Sequence, residues 1–399
     1  MTYIDTHRVS ASAWKAGTTT LTEAARRPAP YVNQHGRTSG RPVDFCLPPQ
    51  LAASSLLPDV RGAAMELFGE LGIPWHAGVD GGPSNHLLSS QVQCVNALGP
   101  MVSDPERLRR AFGPSLGTAE VLQIEPGRYL TFEYIGPTDC FGEAPPGTAR
   151  TRGARCTSVD AAFLHRTHDG VVELVLVEWK YTESYSKRRP DPAKDAVRWA
   201  RYGTAWSAPD SPVRTDLLPF DLMLDEPFYQ LMRQQLLAHD LEKAHAHGAD
   251  RVRVVLVLPP GNQAYQQSIH RPEQRALGNS VSGIWSQLLA RPDRFSVLDP
   301  DVFLDPKVTY PEYVLRYAPD VVWNADDLGR VTDSVDDFVS GCTFFDGDAI
   351  LREDGVELMW SRYGWLVPFP FTITALLDQA GEVQDEWEAE LEARAEDEE

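Results

Sequence analysis

Ser158-Val-Asp-Ala-Ala-Phe-Leu-His-Arg-Thr-His-Asp-Gly-Val-Val-Glu-Leu-Val-Leu-Val-Glu-Trp-Lys180 is the stretch whose reading decides the fold. It holds two apolar runs, Ser158 to Leu164 and Val171 to Lys180, with His168-Asp-Gly170 between them. Asp-Gly between apolar runs predicts a β-hairpin. Successive strand side chains alternate faces, so Leu174, Leu176, Glu178 and Lys180 share one side. Apolar residues on both faces mark a buried strand, where Asp160, Glu178 and Lys180 are costly unless they perform chemistry. Two carboxylates beside an ammonium suit a divalent metal with a charge-stabilising lysine.

Outward from this hairpin, the chain of 399 residues can hold one large domain or two small ones. Its hydrophobic fraction of 42% predicts a sizeable core. It has no apolar stretch of membrane-spanning length and no signal-peptide pattern, so no membrane partner and a cytoplasmic location are expected. The cysteines (Cys46, Cys94, Cys140, Cys156 and Cys342) are scattered, with no CxxC. They read as reduced thiols rather than as a zinc site or disulfides.

The net charge of −20 argues against a generic DNA-coating protein. That charge is uneven. Glu382 to Glu399 holds ten acidic residues and one base, Arg394, leaving about −11 on the rest. Basic residues flank the hairpin: Arg150, Arg152 and Arg155 before it, then Lys187, Arg188, Arg189, Lys194, Arg198 and Arg201 after it. This is compatible with a local phosphate-binding groove, for which Arg152, Arg155, Lys187, Arg188, Arg189 and Lys194 are the candidates. Solvated loops are the plain alternative. Tyr181, Tyr185, Trp199 and Tyr202 lie among these bases and could stack on unpaired bases or pack in the core.

Residues 1–55, rich in Thr, Ser, Pro and Arg, predict an irregular arm. Helices are expected over 58–72, over about 86–98 with Ser84 or Asn85 as cap, and over 105–112. Strands are expected at 119–124 and 128–135, followed by a Gly- and Pro-rich loop over 136–153. A polar, basic stretch runs to about Asp210. Beyond it come a helix at 226–247, a buried strand at 251–258 and a helix at 280–289. Short strand signals fall within 331–371, and an acidic helix from Leu376 to the end. The expected fold class is α/β, a mixed central sheet flanked by helices. The expected divisions are an N-terminal arm and helix at 1–80, a core at 81–300, a C-terminal extension at 301–381 packed on the core, and an acidic tail at 382–399.

With Asp160 on one strand, Glu178-Trp-Lys180 ending the next and a helix–strand unit at 226–258, the chain resembles the PD-(D/E)XK nuclease superfamily. It is similar in particular to bacterial restriction endonucleases of that type. The phrases that carry the likeness are Gly81-Gly-Pro-Ser-Asn-His-Leu-Leu-Ser-Ser-Gln91 with Asn96, Ser158-Val-Asp-Ala-Ala162, Val177-Glu-Trp-Lys-Tyr-Thr-Glu183 and Tyr229-Gln-Leu-Met-Arg-Gln-Gln235. The likeness covers roughly residues 45–300. A rival acidic-x-Lys, Asp305-Pro-Lys307, has proline at its centre and little apolar lead-in.

The resemblance implies a restriction-endonuclease-like core and a catalytic set of Asp160, Glu178 and Lys180. It implies Mg²⁺, with Mn²⁺ as a substitute, held by Asp160, Glu178 and the Trp179 carbonyl. Lys180 would orient a water or stabilise charge on the phosphate. Many members carry a glutamate on the first core helix, whereas residues 86–98 contain no acid. Gln91, Gln93, Asn96 and Glu133 are the candidates for that place, and Gln234 and Gln235 for polar contacts from the later helix.

The expected function is metal-dependent hydrolysis of DNA in bacterial defence, restriction or repair, with DNA as partner. A homodimer is one way to cut both strands. The alternatives are a nuclease fold kept for binding nucleic acid or protein, and a metal-dependent hydrolase of another substrate. His165, His168, His245 and His247 lack zinc-ligand spacing, and no GK[ST] follows Gly78 to Gly82.

Overall fold

The computed structural model describes residues 1–144, 147–154, 156–327, 348–359, 364–379 and 389. The described chain divides into two compact units. One is Met1–Asp5 with Thr20–Tyr310, and the other is Thr6–Thr19 with Pro311–Glu399.

The N-terminal segment is more ordered than its composition suggests. Helix α1 (Tyr3–Gly17) and the short α2 (Glu23–Arg26) precede an antiparallel hairpin, β1 (Ala29–Val32) and β2 (Thr38–Val43). Its polarity misleads because the hairpin is pinned by one buried side chain rather than by an apolar face. The Asn85 amide nitrogen donates to the carbonyls of Pro30 and Leu47 at 2.9 and 2.8 Å, and its oxygen accepts from the Val32 amide at 3.1 Å. Asn85 is therefore a tether and not the expected helix cap.

Helix α3 (Pro58–Leu71) opens on proline and stops at Gly72 in the left-handed conformation. Helix α4 (Ser90–Leu98) begins later than its periodicity indicated, capped by the Ser89 hydroxyl, which accepts from the Val92 amide. Helix α5 (Pro105–Leu116) leads into β3 (Thr118–Leu122) and β4 (Leu130–Tyr134), then β5 (Val159–Thr167) and β6 (Val172–Trp179). The basic stretch after β6 is not all loop. It contains α6 (Pro192–Trp206), capped by Asp191 and recognisable in hindsight from Tyr202, Gly203 and Trp206 on one buried side. Helix α7 (Phe228–Lys243), β7 (Arg251–Val257), the short α8 (Gln263–Gln266) and α9 (Pro272–Leu277), α10 (Val281–Leu288) and β8 (Phe295–Leu298) complete this unit. The expected helix at 226–247 is shorter at both ends, since it starts after Pro227 and ends before the turn at 246–248.

The sheet runs β3-β5-β6-β7-β8, with β4 also paired to β5. β5 and β6 are the antiparallel hairpin read from the sequence, whereas β6–β7 and β7–β8 are parallel. Parallel neighbours require crossovers, and the helical segments between β6 and β7 and between β7 and β8 supply them. β3 and β4 occupy successive halves of one β5 edge, pairing with residues 164–167 and 159–163.

The faces differ in their cover. Leu174, Leu176, Val254 and Leu256 belong to one apolar core with Phe228, Leu231 and Met232 of α7 and with Ile284 and Trp285 of α10. On the other face Phe112 of α5 meets Phe163 with centroids 4.8 Å apart, and Trp179 meets Phe303 at 5.0 Å. Burying each such side chain contributes roughly 1.5–3 kcal/mol, and covering both faces holds the apolar β6 rigid between helices. This mixed sheet with helices on both faces is the expected α/β, restriction-endonuclease-like architecture.

In the second unit the Trp14 indole and the Thr18 hydroxyl both donate to Glu312 Oε1 at 2.6 Å, on α11 (Pro311–Tyr317). β9 (Val321–Val322) pairs with β13 (Phe371–Thr372), and β10 (Asp348–Arg352), β11 (Gly355–Met359) and β12 (Gly364–Pro368) form an antiparallel meander. The strand signals at 348–371 thus correspond to strands. Residues 331–347, with Cys342, residues 360–363, and all of the expected acidic tail at 382–399 except residue 389 lie outside the described residues. No described helix is long and apolar enough to cross a membrane.

Candidate active site

Asp160 begins the inner part of β5, and Glu178 and Trp179 end β6. The register pairs Ala161 with Val177, so Asp160 falls beside Glu178 on the neighbouring strand. The Trp179 amide donates to Asp160 Oδ2 at 2.7 Å and locks the carboxylate in place. Glu133 is drawn to the same point. Phe132 pairs with Ala161 and Tyr134 with Val159, which sets Glu133 opposite Asp160. Three carboxylates therefore stand in a row across β4, β5 and β6.

Alternation along β6 sends neighbouring side chains to different helices. Trp179 points to the α4 side, where its indole donates to Gln93 at 3.0 Å. Glu178 and Lys180 meet α7: the Gln234 amide donates to Glu178 Oε2, and the Lys180 ammonium donates to Gln230 Oε1 at 2.8 Å. Lys180 Nζ lies 2.5 Å from Glu178 Oε1, an ion pair by distance but not a well-directed hydrogen bond. Burial alone would lower the Lys180 ammonium, but Glu178, Tyr185 and Glu183 hold it well above the usual lysine range.

The carboxylates behave differently. Asp160 keeps a window onto a cavity of about 620 Å³, with protein packed around it on the other sides. Enclosure, then Glu178, then Glu133 push its carboxyl well above the usual range. Burial likewise raises Glu133, partly offset by hydrogen bonds from Ser158 at 2.9 Å and Gln91 at 3.1 Å. Glu133 also has a left-handed backbone, with φ 46° in the middle of a strand. A non-glycine residue held there is strained, and such strain concentrates at functional sites. Gly153 (φ 67°) crosses so close that a Cβ would stand 3.1 Å from the Glu133 carboxylate.

The fold thus gathers Asp160, Glu178, Lys180, Trp179, Glu133, Gln91 and Gln234 into one locality. The other candidates scatter. Gln93 serves the buried face, and Asn96 binds the Leu57 amide and the Ser55 carbonyl. Gln235 lines a separate cavity with Asp210 and His239. Arg152 is engaged internally, donating to Glu125, Thr131 and the Phe132 carbonyl. Arg188 pairs with Asp195 at 2.8 Å. Lys187, Arg189 and Lys194 are exposed, and Lys194 lies 3.4 Å from Asp191. Arg155 lies outside the described residues. The rival Lys307 sits in a turn, its amide donating to Asp305, and not at a strand end.

Gln230, Glu183 and Asn262 were missed. Gln230 was signalled by lying one turn before Gln234. Glu183 lines the cavity and accepts from the Tyr181 amide at 2.6 Å. Asn262 pins that turn through the carbonyls of Tyr181 and Glu183, and no local pattern marks it.

Among the described residues no three His, Cys, Asp or Glu side chains converge as a ready-made metal cage. The donor set nevertheless fits a hard divalent cation in type and charge. It is all oxygen, and its mutual repulsion is the repulsion that such a cation relieves.

The family model for restriction endonucleases associating with ARP matches residues 8–318. The chain belongs to this family. The match is wider than residues 45–300 and takes in the N-terminal hairpin as well as every residue of the site. Membership in this restriction-endonuclease family supports a nuclease-like role. In neither the curated proteins nor the solved structures does another protein match the chain.

Proposed function

We propose that this protein is a Mg²⁺-dependent endonuclease that hydrolyses DNA, in defence, restriction or repair. The observation that carries the reading is the row Glu133–Asp160–Glu178 beside the Lys180 ammonium, ion-paired with Glu178. Asp160, Glu178 and the Trp179 carbonyl would hold the cation. When bound, it supplies Lewis-acid polarisation of the phosphate and makes water easier to deprotonate.

The chain's own residues supply the rest. Trp179 and Gln234 orient the two carboxylates through their hydrogen bonds, so little reorganisation is needed during reaction. Lys180 places a fixed positive charge within Coulombic reach of Asp160 and Glu133, where negative charge grows on the phosphate. Glu133, its carboxyl raised by burial and facing Asp160, is placed to exchange a proton with a water at the site. The exposed Lys187, Arg189 and Lys194 would take backbone phosphates.

Supercoiled plasmid incubated with Mg²⁺, Mn²⁺ or EDTA tests this. Cleavage by the parent, lost in EDTA and in Lys180→Ala, is expected. Equal cleavage by Lys180→Ala overturns the assignment. One observation favours a second reading, a nuclease fold kept for binding: Glu178 is already engaged by Lys180 and Gln234. Tight DNA binding without cleavage in either metal would support it.

A further inference from the structure

The cavity over Asp160 has walls that a phosphate-binding groove does not need. Four rings line it: Tyr31, Trp75, His76 and His86. Two are preset. The Tyr31 and His86 rings meet edge-on with centroids 5.2 Å apart, and Trp75 is stacked on Phe68 at 4.0 Å. Between the rings, Gln34, Ser89, Ser90 and Gln91 offer hydrogen-bonding groups. The lining includes Glu133, Asp160 and Glu183, but neither Lys nor Arg.

This charge balance decides what fits. Away from the cation site at Asp160, walls that carry carboxylates and neither Lys nor Arg repel a phosphate. They favour a flat, neutral group bearing N–H donors, which rings can stack on and carboxylates and amides can bind at its edge. A nucleobase has that chemistry, and stacking on aromatic side chains is insensitive to which base it is. A volume of about 620 Å³ leaves room for base and sugar. A base inside a duplex has no free face, so it enters only when unpaired or extruded.

On the reading of Asp160 as part of a nuclease site, we infer that this cavity receives the base of one unpaired nucleotide next to the cleaved bond. The chain therefore selects nucleic acid with a bulged, mismatched or single-stranded position. The cover is the hairpin bearing Tyr31, tethered by Asn85, and the turn bearing Trp75 and His76, whose amide is held by Gln91 Oε1 at 2.7 Å. Gln91 thus links the cavity wall to Glu133 through its own amide.

The test is binding of a fluorescent duplex, perfectly paired or carrying one bulged adenine, to the full chain in EDTA and again in Ca²⁺. Plasmid cleavage in Mg²⁺ is run in parallel. The parent is expected to bind the bulged duplex about 10-fold or more tightly than the paired one. Tyr31→Leu and His76→Leu should each bring that ratio towards one; His76 is exposed, so its replacement leaves the fold intact. Equal affinity for the two duplexes overturns the inference and leaves the nuclease reading standing. A ratio unchanged in both variants overturns the cavity as the site of selection. No binding of either duplex, with no cleavage, overturns both.

Discussion

The Trp179 amide donates to Asp160 Oδ2 across the edge of two adjacent strands, at 2.7 Å. The next residue along, Lys180, then falls on the face of Glu178, so one backbone segment fixes both carboxylates and the ammonium. Without a cation, Asp160 stands in unfavourable company, its carboxyl pushed well up by enclosure, Glu178 and Glu133. Asp160→Asn should remove that repulsion. The metal-free variant should unfold later than the parent, by about 0.5–2 kcal/mol in urea, while DNA cleavage is lost. A variant less stable than the parent would mean that the amide hydrogen bond outweighs the repulsion.

Lys180→Ala leaves Glu178 without its cation and is expected to reduce cleavage by about 10²–10³-fold. Single-turnover rates at saturating enzyme report this loss directly, and an unchanged rate removes Lys180 from the machinery.

Gln230 and Gln234 hydrogen-bond Lys180 and Glu178 from α7, and on the proposed reading they act by positioning these groups. Gln234→Leu leaves Glu178 Oε2 without its donor but also removes the unpartnered Gln234 Oε1, so the stability effects offset one another. The expected signature is a kcat lowered roughly 10-fold with KM unchanged, since orientation rather than binding is lost. A change in KM alone would assign Gln234 to substrate binding.

The β5–β6 hairpin, the acid-x-Lys strand end and the α7–β7 unit were legible because each is local: alternation, Asp-Gly and helical spacing need no distant partner. What was illegible depends on long-range contacts. The arm at 1–55 looked irregular because its hairpin is ordered by Asn85, 38 to 55 positions along the chain from the groups it tethers. Helix α6 was hidden because its outer face is basic and its buried side holds only Tyr202, Gly203 and Trp206. Arg152 looked available for phosphate, yet Glu125 had claimed it. Glu133 was named from its strand alone, whereas its strained φ appears only in the folded chain.

At the far end of the same hairpin, Glu173 is fully buried among three groups, hydrogen-bonded to His165 and Arg253 and ion-paired with Arg251. His165 lies 3.2 Å away, and Arg251 and Arg253 reach Oε1 at 2.7 and 2.9 Å. Burial would raise its carboxyl, but the His165 hydrogen bond and Arg253 lead the contacts that hold it below the ordinary value. A depressed carboxyl stabilises the fold above its unfolded value, near 4.5, and the contribution is lost as pH falls through the folded value. Glu173→Gln should cost about 1–3 kcal/mol at pH 7, the guanidiniums being partly solvated. The gap between parent and variant should close as urea titrations move below pH 4.5. A gap that stays constant with pH would show that packing rather than charge sets the cost.

Asn85 makes all three of its hydrogen bonds to backbone groups of β1 and of Leu47, and it is fully buried. Asn85→Ala strands a buried Val32 amide and two carbonyls, at roughly 1–3 kcal/mol. The hairpin offers little apolar burial to compensate, since β2 is exposed along nearly its whole length. The loss should therefore appear as local opening rather than global unfolding. Hydrogen exchange at Val32 should accelerate by about tenfold or more while amides of β6 keep their protection. Acceleration spread evenly over β1 and β6 would show that Asn85 supports the whole core and not only the cover over Asp160.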